Sequence, residues 1–598
     1  MITSNTIGGV IMVQTKLYQK EVRCELCVIG GGISGFCTAI AAAREGISVV
    51  LVHDRPVLGG NASSEIRMSI GGIRDMRYRE GGITEELFLE NAAHNPYSRY
   101  PLWDIVLYNM IVREKNIRLL LNCTCLNAEC DQDRITSVDC YMMPSQTWYT
   151  IHAKQFADCS GDSILAPLTG AHFRMGSDGK AAFGEATAPD TADHCTMGNS
   201  IMMQLERSAY TEPFTEPDWA DHFGSDHISL QHGTRDHSFA DNYSTNFWWM
   251  ERGGTKDTIS DADEIRHSLL SLALGVYGHL KNEHADTCSD LTINWLGALP
   301  GKRESRRYVG PHTLTANDIS ANRSYPDTVA YGGWPMDDHD PRGFDNNGPG
   351  CVCYPVPMPY QIPLRCLYSE NIKNLWFAGR NISVSHEALT STRVSATCAL
   401  LGQAAGTAAA AAIQKQCDPH EFTQSDVDDI RRTLLLRDCY LPEATIPHGP
   451  AMDQIDIMGT AANTALAARG ITRALDDTFC SASSGDTLTY AFPAARYIQS
   501  VELYFDSDFE RSTCTDRPWM AGSIMNVHSP VEPYRMSLPQ TLPKAFEITT
   551  PEGFVFTVTD NIHRHVSIPI KGAASAVTFR LLETTGNERI AIHAMELL

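Results

Sequence analysis

The sequence predicts a doubly wound, Rossmann-like α/β domain, interrupted by an inserted α+β domain and followed by an all-β sandwich of jelly-roll type. Three observations predict that order. The stretch 27–54 reads as strand, glycine turn, helix, strand. A similar pattern returns at Asn374, after a region (166–365) that lacks it. From about 485 onward the hydrophobic period switches to two.

Cys27, Val28 and Ile29 form a short apolar run suited to a buried parallel strand. Gly30, Gly32 and Gly35 then fall at G-x-G-x-x-G spacing. The first allows the sharp turn, the second lets a pyrophosphate approach the backbone, and the third brings helix against strand. Ile33 and Ser34 open the helix, which runs through Ala39, Ala41, Ala42 and Ala43 to a stop at Gly46. Residues 48–52 form the second strand. Free N–H groups at the helix start favour an anion, so the unit reads as a dinucleotide site. The acid expected at the end of the second strand is replaced by His53, and Asp54 follows; either can bind ribose.

The length of 598 residues suggests about three or four domains. A net charge of −23 argues against nucleic acid and anionic membrane as partners. No signal-peptide pattern opens the chain, and 1–22 reads as an extension. Eighteen scattered cysteines read as reduced thiols of a cytoplasmic protein. The uncharged stretch 395–413 is mostly alanine and glycine, which suits close helix packing better than lipid.

The nucleotide domain is expected over 23–165 and 366–416, the inserted substrate domain over 166–365, a linker over 417–455 and the sandwich over 456–598. After the second strand, 55–67 is rich in glycine, then hydroxyls, then charge; Gly59 and Gly60 permit close approach to a ligand. Helices are expected over 81–90 and 103–114, and a strand over 117–121 that 122–128 extends. A further strand ends in the turn Ser160-Gly161-Asp162. Residues 332–343 read as a long functional loop carrying Trp334, His339 and Arg342. Residues 374–381 form a strand ending in a Gly-Arg turn. A helix from Arg393 to about Gln414 follows, with Ser391 or Thr392 as N-cap.

Several segments together resemble the FAD-dependent oxidoreductase family of the glutathione-reductase-like flavoproteins: VIGGGISG, LGGNASSEIR, ADCSGD, LPGKRESRRYVG, YGGWPMDDHDPRG and FAGRNISVSHEALTSTRVSATCALLGQAAG. The resemblance covers roughly 24–415 and looks strongest to bacterial members with a C-terminal sandwich, commonly encoded beside carbohydrate-degrading enzymes. The last 150 or so residues look similar to a galactose-binding-like fold. It implies FAD as cofactor, with Gly379, Arg380 and Asn381 beside the ribityl chain and pyrophosphate. Asn381 stands where relatives usually carry aspartate. Arg393, Val394 and Ser395 would start the helix that points at the pyrimidine end of the flavin. Further cofactor contacts are expected at Arg55, Gly60, Asn61, Ser64, Arg67, Cys125, Ser160, Gly161 and Asp162.

A flavin enzyme needs a proton-moving group near the ring. His386 and His339 are the candidates, among 21 histidines. Arg306 and Arg342 are candidate substrate anchors, although Arg303, Glu304, Arg306 and Arg307 also read as an ion-pair lattice. Arg393 can serve substrate or flavin, and Glu65 with Arg67 can be an internal salt bridge. Trp248 and Trp249 read as a sugar-stacking platform or as core. Cys351 and Cys353 are a possible redox pair, and no cysteine spacing calls for a metal. The expected activity is oxidation of a hydroxyl on a sugar or sugar acid, with hydride passing to flavin N5 and an unknown electron acceptor. The alternatives are a flavin-dependent reductase of an unsaturated acid and a non-catalytic flavin- or glycan-binding protein. A homo-oligomer is possible.

Overall fold

The computed structural model describes residues 4–7, 10–13, 17–224, 249–346, 348–476, 478–514 and 535–598. Its centre is a five-stranded parallel sheet in the order Leu375–Phe377, Gln155–Asp158, Leu26–Ile29, Val49–Val52, Ile117–Leu120. Every residue of Leu26–Ile29 and Val49–Val52 is buried, as expected of strands covered on both faces. The helix Ile33–Arg44 follows the glycine turn, and Glu45 and Gly46 close it. At Gly35 a Cβ would lie 1.8 Å from the Gly30 carbonyl oxygen, so a hydrogen there is what lets helix and strand meet.

The long small-residue helix, Ser395–Lys415, lies buried against Ile33–Arg44. At Gly402 and Gly406 a Cβ would come within 2.1 Å of the Ser34 carbonyl oxygen and 2.3 Å of that of Thr38. Small residues therefore buy near-backbone contact between the two helices. This is the one described helix long and apolar enough to cross a membrane by length and composition.

Four local expectations change. The helix of Ser395 does not start from a Ser391 or Thr392 cap: both lie inside a separate short helix, His386–Thr392, capped by Ser385, and Val394 is the N-cap. Arg393 ends the first helix and extended backbone at Val394 breaks the run. Residues 122–128 do not prolong Ile117–Leu120. Asn122 turns with φ 52°, and Cys123–Asp131 joins a second sheet, Tyr18–Arg23, Thr147–His152, Arg134–Met142, Cys123–Asp131. Tyr18–Arg23 pairs in parallel with Thr147–His152, so part of the expected extension is built into the fold. The loop 332–343 contains the strand Met336–His339, which forms a ladder with Cys351–Tyr354.

Within 166–365 the structure divides. Tyr308, Leu314, Tyr331 and Tyr360 belong to the main core, whereas Ile201, Met203, Leu205, Leu269, Leu272 and Phe344 form a second, smaller one. The helix Ala262–Asn282 and the antiparallel pair Met203–Arg207 and Leu291–Leu296 build that second core. Trp249 is buried in it, stacked on Phe344 at 6.1 Å, and is core rather than platform; Trp248 lies outside the described residues.

The C-terminal region is a seven-stranded antiparallel sheet. Its two longest strands, Thr487–Phe505 and His565–Thr584, carry register shifts after Ala491 and after Ile498. Buried polar ties fix this sheet to the rest. Arg511 meets both carboxylate oxygens of Glu85 at 2.9 and 2.6 Å and stacks on Phe88. Arg564 pairs with Asp438 at 2.9 Å, and Arg473 donates to the Arg79 carbonyl at 2.5 Å.

Candidate functional site

The parallel strands end on one cavity of 1080 Å³. Its near end is made by Gly30, Gly32, Ile33 and Ser34 from the turn, His53, Asp54 and Arg55 from the next strand end, and Cys125 from the second sheet. Gly60, Asn61, Ser160, Gly161, Asp162, Gly379 and Arg380 line the middle, with Arg393, Val394 and Ser395 beyond. The expected cofactor residues thus converge from seven separate segments. The far end is lined by Trp334, Asp337, His339, Cys351 and Cys353 from the hairpin, with Arg74 and Arg303.

Gly32 is open to the cavity, since a Cβ there would meet only the Gly60 Cα at 3.9 Å. His53 and Asp54 have different jobs. The Gly31 N–H donates to His53 Nδ1 at 3.0 Å, and Nε2 faces the Val57 carbonyl at 3.0 Å. That pattern sets the neutral imidazole with its proton on Nε2, so the 3.3 Å approach of Asp54 Oδ1 to Nδ1 is no ion pair. His53 props the glycine turn, and Asp54 is 57% exposed beside it.

Asp162 is shared by Lys302 at 2.7 Å, Arg380 at 2.7 Å and Ser305 at 2.8 Å. Burial opposes its charge, but Arg380 and Lys302 hold its carboxyl below the usual range. Around the same cavity Arg55 Nη1, Glu65 Oε2, Arg380 Nε, Arg393 Nε and Trp334 Nε1 are buried with no hydrogen-bond partner among the described residues. Buried polar atoms are normally satisfied. A ligand rich in phosphate, hydroxyl and amide groups would satisfy these, so the donor set fits a flavin dinucleotide.

Seven expected site residues do not reach the cavity wall. Gly35 serves helix packing. Ser64 is turned to Asp104, its N–H bonding Oδ1 at 3.1 Å. Arg67 is stacked between Tyr100 and Trp295, 4.8 and 4.2 Å from the ring centres, and ties its loop to the inserted sheet. Asn381 is buried behind the turn, with Oδ1 unpartnered. Arg306 lies over Phe173 at 5.4 Å. Arg342 bonds Asp340 at 2.7 Å and is 59% exposed, so it anchors no substrate.

His386 is the main correction. Its Nδ1 meets Glu304 at 3.0 Å, and the imidazole is buried. Burial alone would lower its pKa, but the Glu304 charge and a hydrogen bond with Asp338 push it up to about 10. Its imidazolium is stabilised by Glu304 and its ring lies outside the cavity wall, so it is not placed to act as base. Glu304 also pairs with Arg307, which meets Asp178 at 3.0 Å. The lattice reading of 303–307 therefore holds for Glu304 and Arg307.

His339 does reach the site. Its Nδ1 faces Glu251 Oε2 at 2.7 Å and its Nε2 faces Asp337 Oδ2 at 3.2 Å. Arg303 pairs with Glu251 at 3.2 Å and Arg393 with Asp337 at 3.3 Å. Burial resists ionisation of Asp337, but the hydrogen bond and charge of His339, with Arg393, hold its carboxyl far below the usual range. The hairpin register sets His339 opposite Cys351, which brings ligand-type atoms of Asp337, His339 and Cys351 within 4.8 Å of one another. Two guanidinium groups at the same spot oppose a metal cation there. The sequence reading missed Arg74 and Glu251, both placed by contacts distant along the chain.

A doubly wound sheet with an open glycine turn, a cavity along the strand ends and a second strand-turn-helix closing it defines a dinucleotide-binding redox protein. The chain belongs to the FAD dependent oxidoreductase family, whose model matches residues 25–434. It is an FAD-dependent oxidoreductase. D-erythritol 1-phosphate dehydrogenase of Brucella abortus (strain 2308) is 38% identical over 77 residues, 12% of this chain and 15% of that protein. Glycerol-3-phosphate dehydrogenase of Mycobacterium leprae (strain TN) is 36% identical over 66 residues, 11% of each chain. The chain thus spans 15% or less of the length of these curated relatives. A geranylgeranyl bacteriochlorophyll reductase-like structure from Thermoplasma acidophilum is similar at 10% identity, covering 70% of this chain and 86% of that one, with a TM-score of 0.32.

Proposed function

We propose that the enzyme dehydrogenates a hydroxyl of a carbohydrate-like small molecule. The observation that carries this reading is the polar far end of the cavity, where His339 stands between Glu251 and Asp337. The short matches to dehydrogenases named for erythritol phosphate and glycerol phosphate agree with it. Bound flavin supplies a two-electron acceptor at N5. Glu251 accepts the Nδ1 proton of His339; a substrate hydroxyl that displaces the Asp337 carboxylate from Nε2 can pass its proton to that nitrogen, and Asp337 beside it then stabilises the cation that forms. Gly379 and Arg380 are assigned to the ribityl chain and pyrophosphate, and the start of Ser395–Lys415 to the pyrimidine end of the flavin. The bent antiparallel sheet supports a sandwich over 456–598.

The test is the visible spectrum of anaerobic holoenzyme mixed with sugars, polyols and sugar acids. Bleaching by one class is expected, slowed about 10²–10⁴-fold in His339→Asn with flavin content retained. If none bleaches the flavin, and dithionite-reduced enzyme is reoxidised by an unsaturated acid, the reading is wrong in direction.

A further inference from the structure

The cavity wall carries six cationic side chains, Arg55, Arg74, Lys302, Arg303, Arg380 and Arg393, against the acids Asp54, Glu65, Asp162 and Asp337. This is notable in a chain of net charge −23. Lys302 and Arg380 share Asp162, Arg303 has Glu251, and Arg393 has Asp337. Among the described residues, Arg55 and Arg74 have no ion pair. Arg55 stands at the nucleotide end, next to Asp54. Arg74 stands at the other end, with no cofactor role implied.

Arg74 is an exposed residue at the cavity rim, and its guanidinium has no acceptor among the described residues. Its Cζ lies 4.1 Å from the centre of the Trp334 ring. A guanidinium over an aromatic face gains a cation–π contact while its N–H groups stay available to a ligand. Trp334 Nε1 beside it is buried and unpartnered. The loop beneath is fixed from several sides. The Arg74 N–H donates to the Gly333 carbonyl at 3.3 Å, and Ile73 N–H to the buried Glu80 carboxylate at 2.9 Å. The Arg79 carbonyl accepts from Tyr331 at 3.0 Å and Arg473 at 2.5 Å. The wall carboxylate Asp337 is already paired with Arg393 and hydrogen-bonded to His339. A preorganised, unpaired fork of donors facing a cavity is the arrangement that recognises a planar or tetrahedral oxyanion.

We propose that Arg74, stacked on Trp334, anchors an anionic group of the substrate, a carboxylate or phosphate, so that the enzyme takes acidic polyhydroxy compounds in preference to neutral ones. The proposal rests on the reading of the far end as the substrate end, but not on the direction of the redox step, because an unsaturated acid would meet the same fork.

The test titrates anaerobic holoenzyme with D-glucuronate, a hexose phosphate and D-glucose, following the perturbation of the flavin absorption band or, where bleaching occurs, its concentration dependence. Wild type should hold at least one of the two acids about 10–100-fold tighter than glucose, the worth of one charge-assisted hydrogen-bonded contact. Glucuronate alone identifies a carboxylate site, and the phosphate alone a phosphate site. In Arg74→Gln the acid-to-neutral ratio should collapse toward one. Arg74→Lys should restore part of it, since it keeps the charge and loses the fork. Equal affinity for acids and glucose in wild type, no binding of either acid, or a ratio unchanged in Arg74→Gln overturns the proposal. Acid binding that depends on Arg74 without any bleaching sinks the dehydrogenase reading instead, and bleaching by neutral sugars alone does the reverse.

Discussion

Replacing Glu304 by glutamine should turn His386 from a fixed cation into a neutral imidazole. Glu304 is fully buried and meets His386 at 3.0 Å, with Arg307 on the same carboxylate oxygen. In the wild type Glu304, with a hydrogen bond to Asp338, raises His386 from 6.5 to about 10 although burial opposes the charge. A difference of that size corresponds to about 5 kcal/mol, at the upper end of the ~3–5 kcal/mol expected when one partner of a buried pair is removed. The sign follows from linkage: the folded pKa lies above the unfolded one. The stabilisation is complete below about pH 6.5 and is lost as pH rises through about 10. About 4 kcal/mol remains at pH 7. Without the Glu304 charge, burial is opposed only by Asp338 and His386 should titrate well below its wild-type value. Histidine carbon-labelled at Cε1 reads the titration directly, with the resonance assigned by its loss in His386→Gln. Urea unfolding followed by flavin release reads the stability. A wild-type His386 that titrates near 6.5, or a Glu304→Gln variant whose unfolding midpoint tracks wild type from neutral to alkaline pH, would refute the reasoning and return His386 to the list of candidate bases.

Two further outcomes are expected. Gly35→Ala places a Cβ 1.8 Å from the Gly30 oxygen, and the resulting shift of helix against strand, costing about 1–3 kcal/mol, should yield protein with little bound flavin, measured as the ratio of flavin to protein absorbance. Arg511→Met strands the buried Glu85 carboxylate and should cost about 3–5 kcal/mol, most of it returned by adding Glu85→Leu in a double-mutant cycle; equal loss in single and double variants would show that packing on Phe88, not charge, carries the contact.

What was legible in the sequence was local. The turn around Gly30, the helix behind it and the small-residue helix are each specified within a few residues, and glycine spacing carries the helix contact at Gly402 and Gly406 as well. What was not legible depends on pairing across long separations. His386 was judged by its closeness in sequence to Ser395, yet its side chain is set by Glu304, 82 residues away. Arg342 is the exception: Asp340, which takes its guanidinium, stands only two residues before it, and that pairing is local. Arg74 lies in a charged stretch that reads as solvated surface. Only the return of Trp334 from the inserted region distinguishes it from Arg77, which pairs with Asp75. Hairpin register likewise cannot be read from 332–343 alone, because its partner strand begins at Cys351.

The contact of Arg473 with the Arg79 carbonyl has a consequence for modularity. The C-terminal sheet looks like a unit that could be gained, lost or exchanged, and the family match ends before it, at residue 434. Yet one of its approach residues holds the backbone of the loop that presents Arg74, and Arg511 is locked onto the helix that follows that loop. A chain cut short after 434 would therefore forfeit a wall of its own reaction chamber, and a transplanted sheet would have to bring equivalents of Arg473 and Arg511 with it.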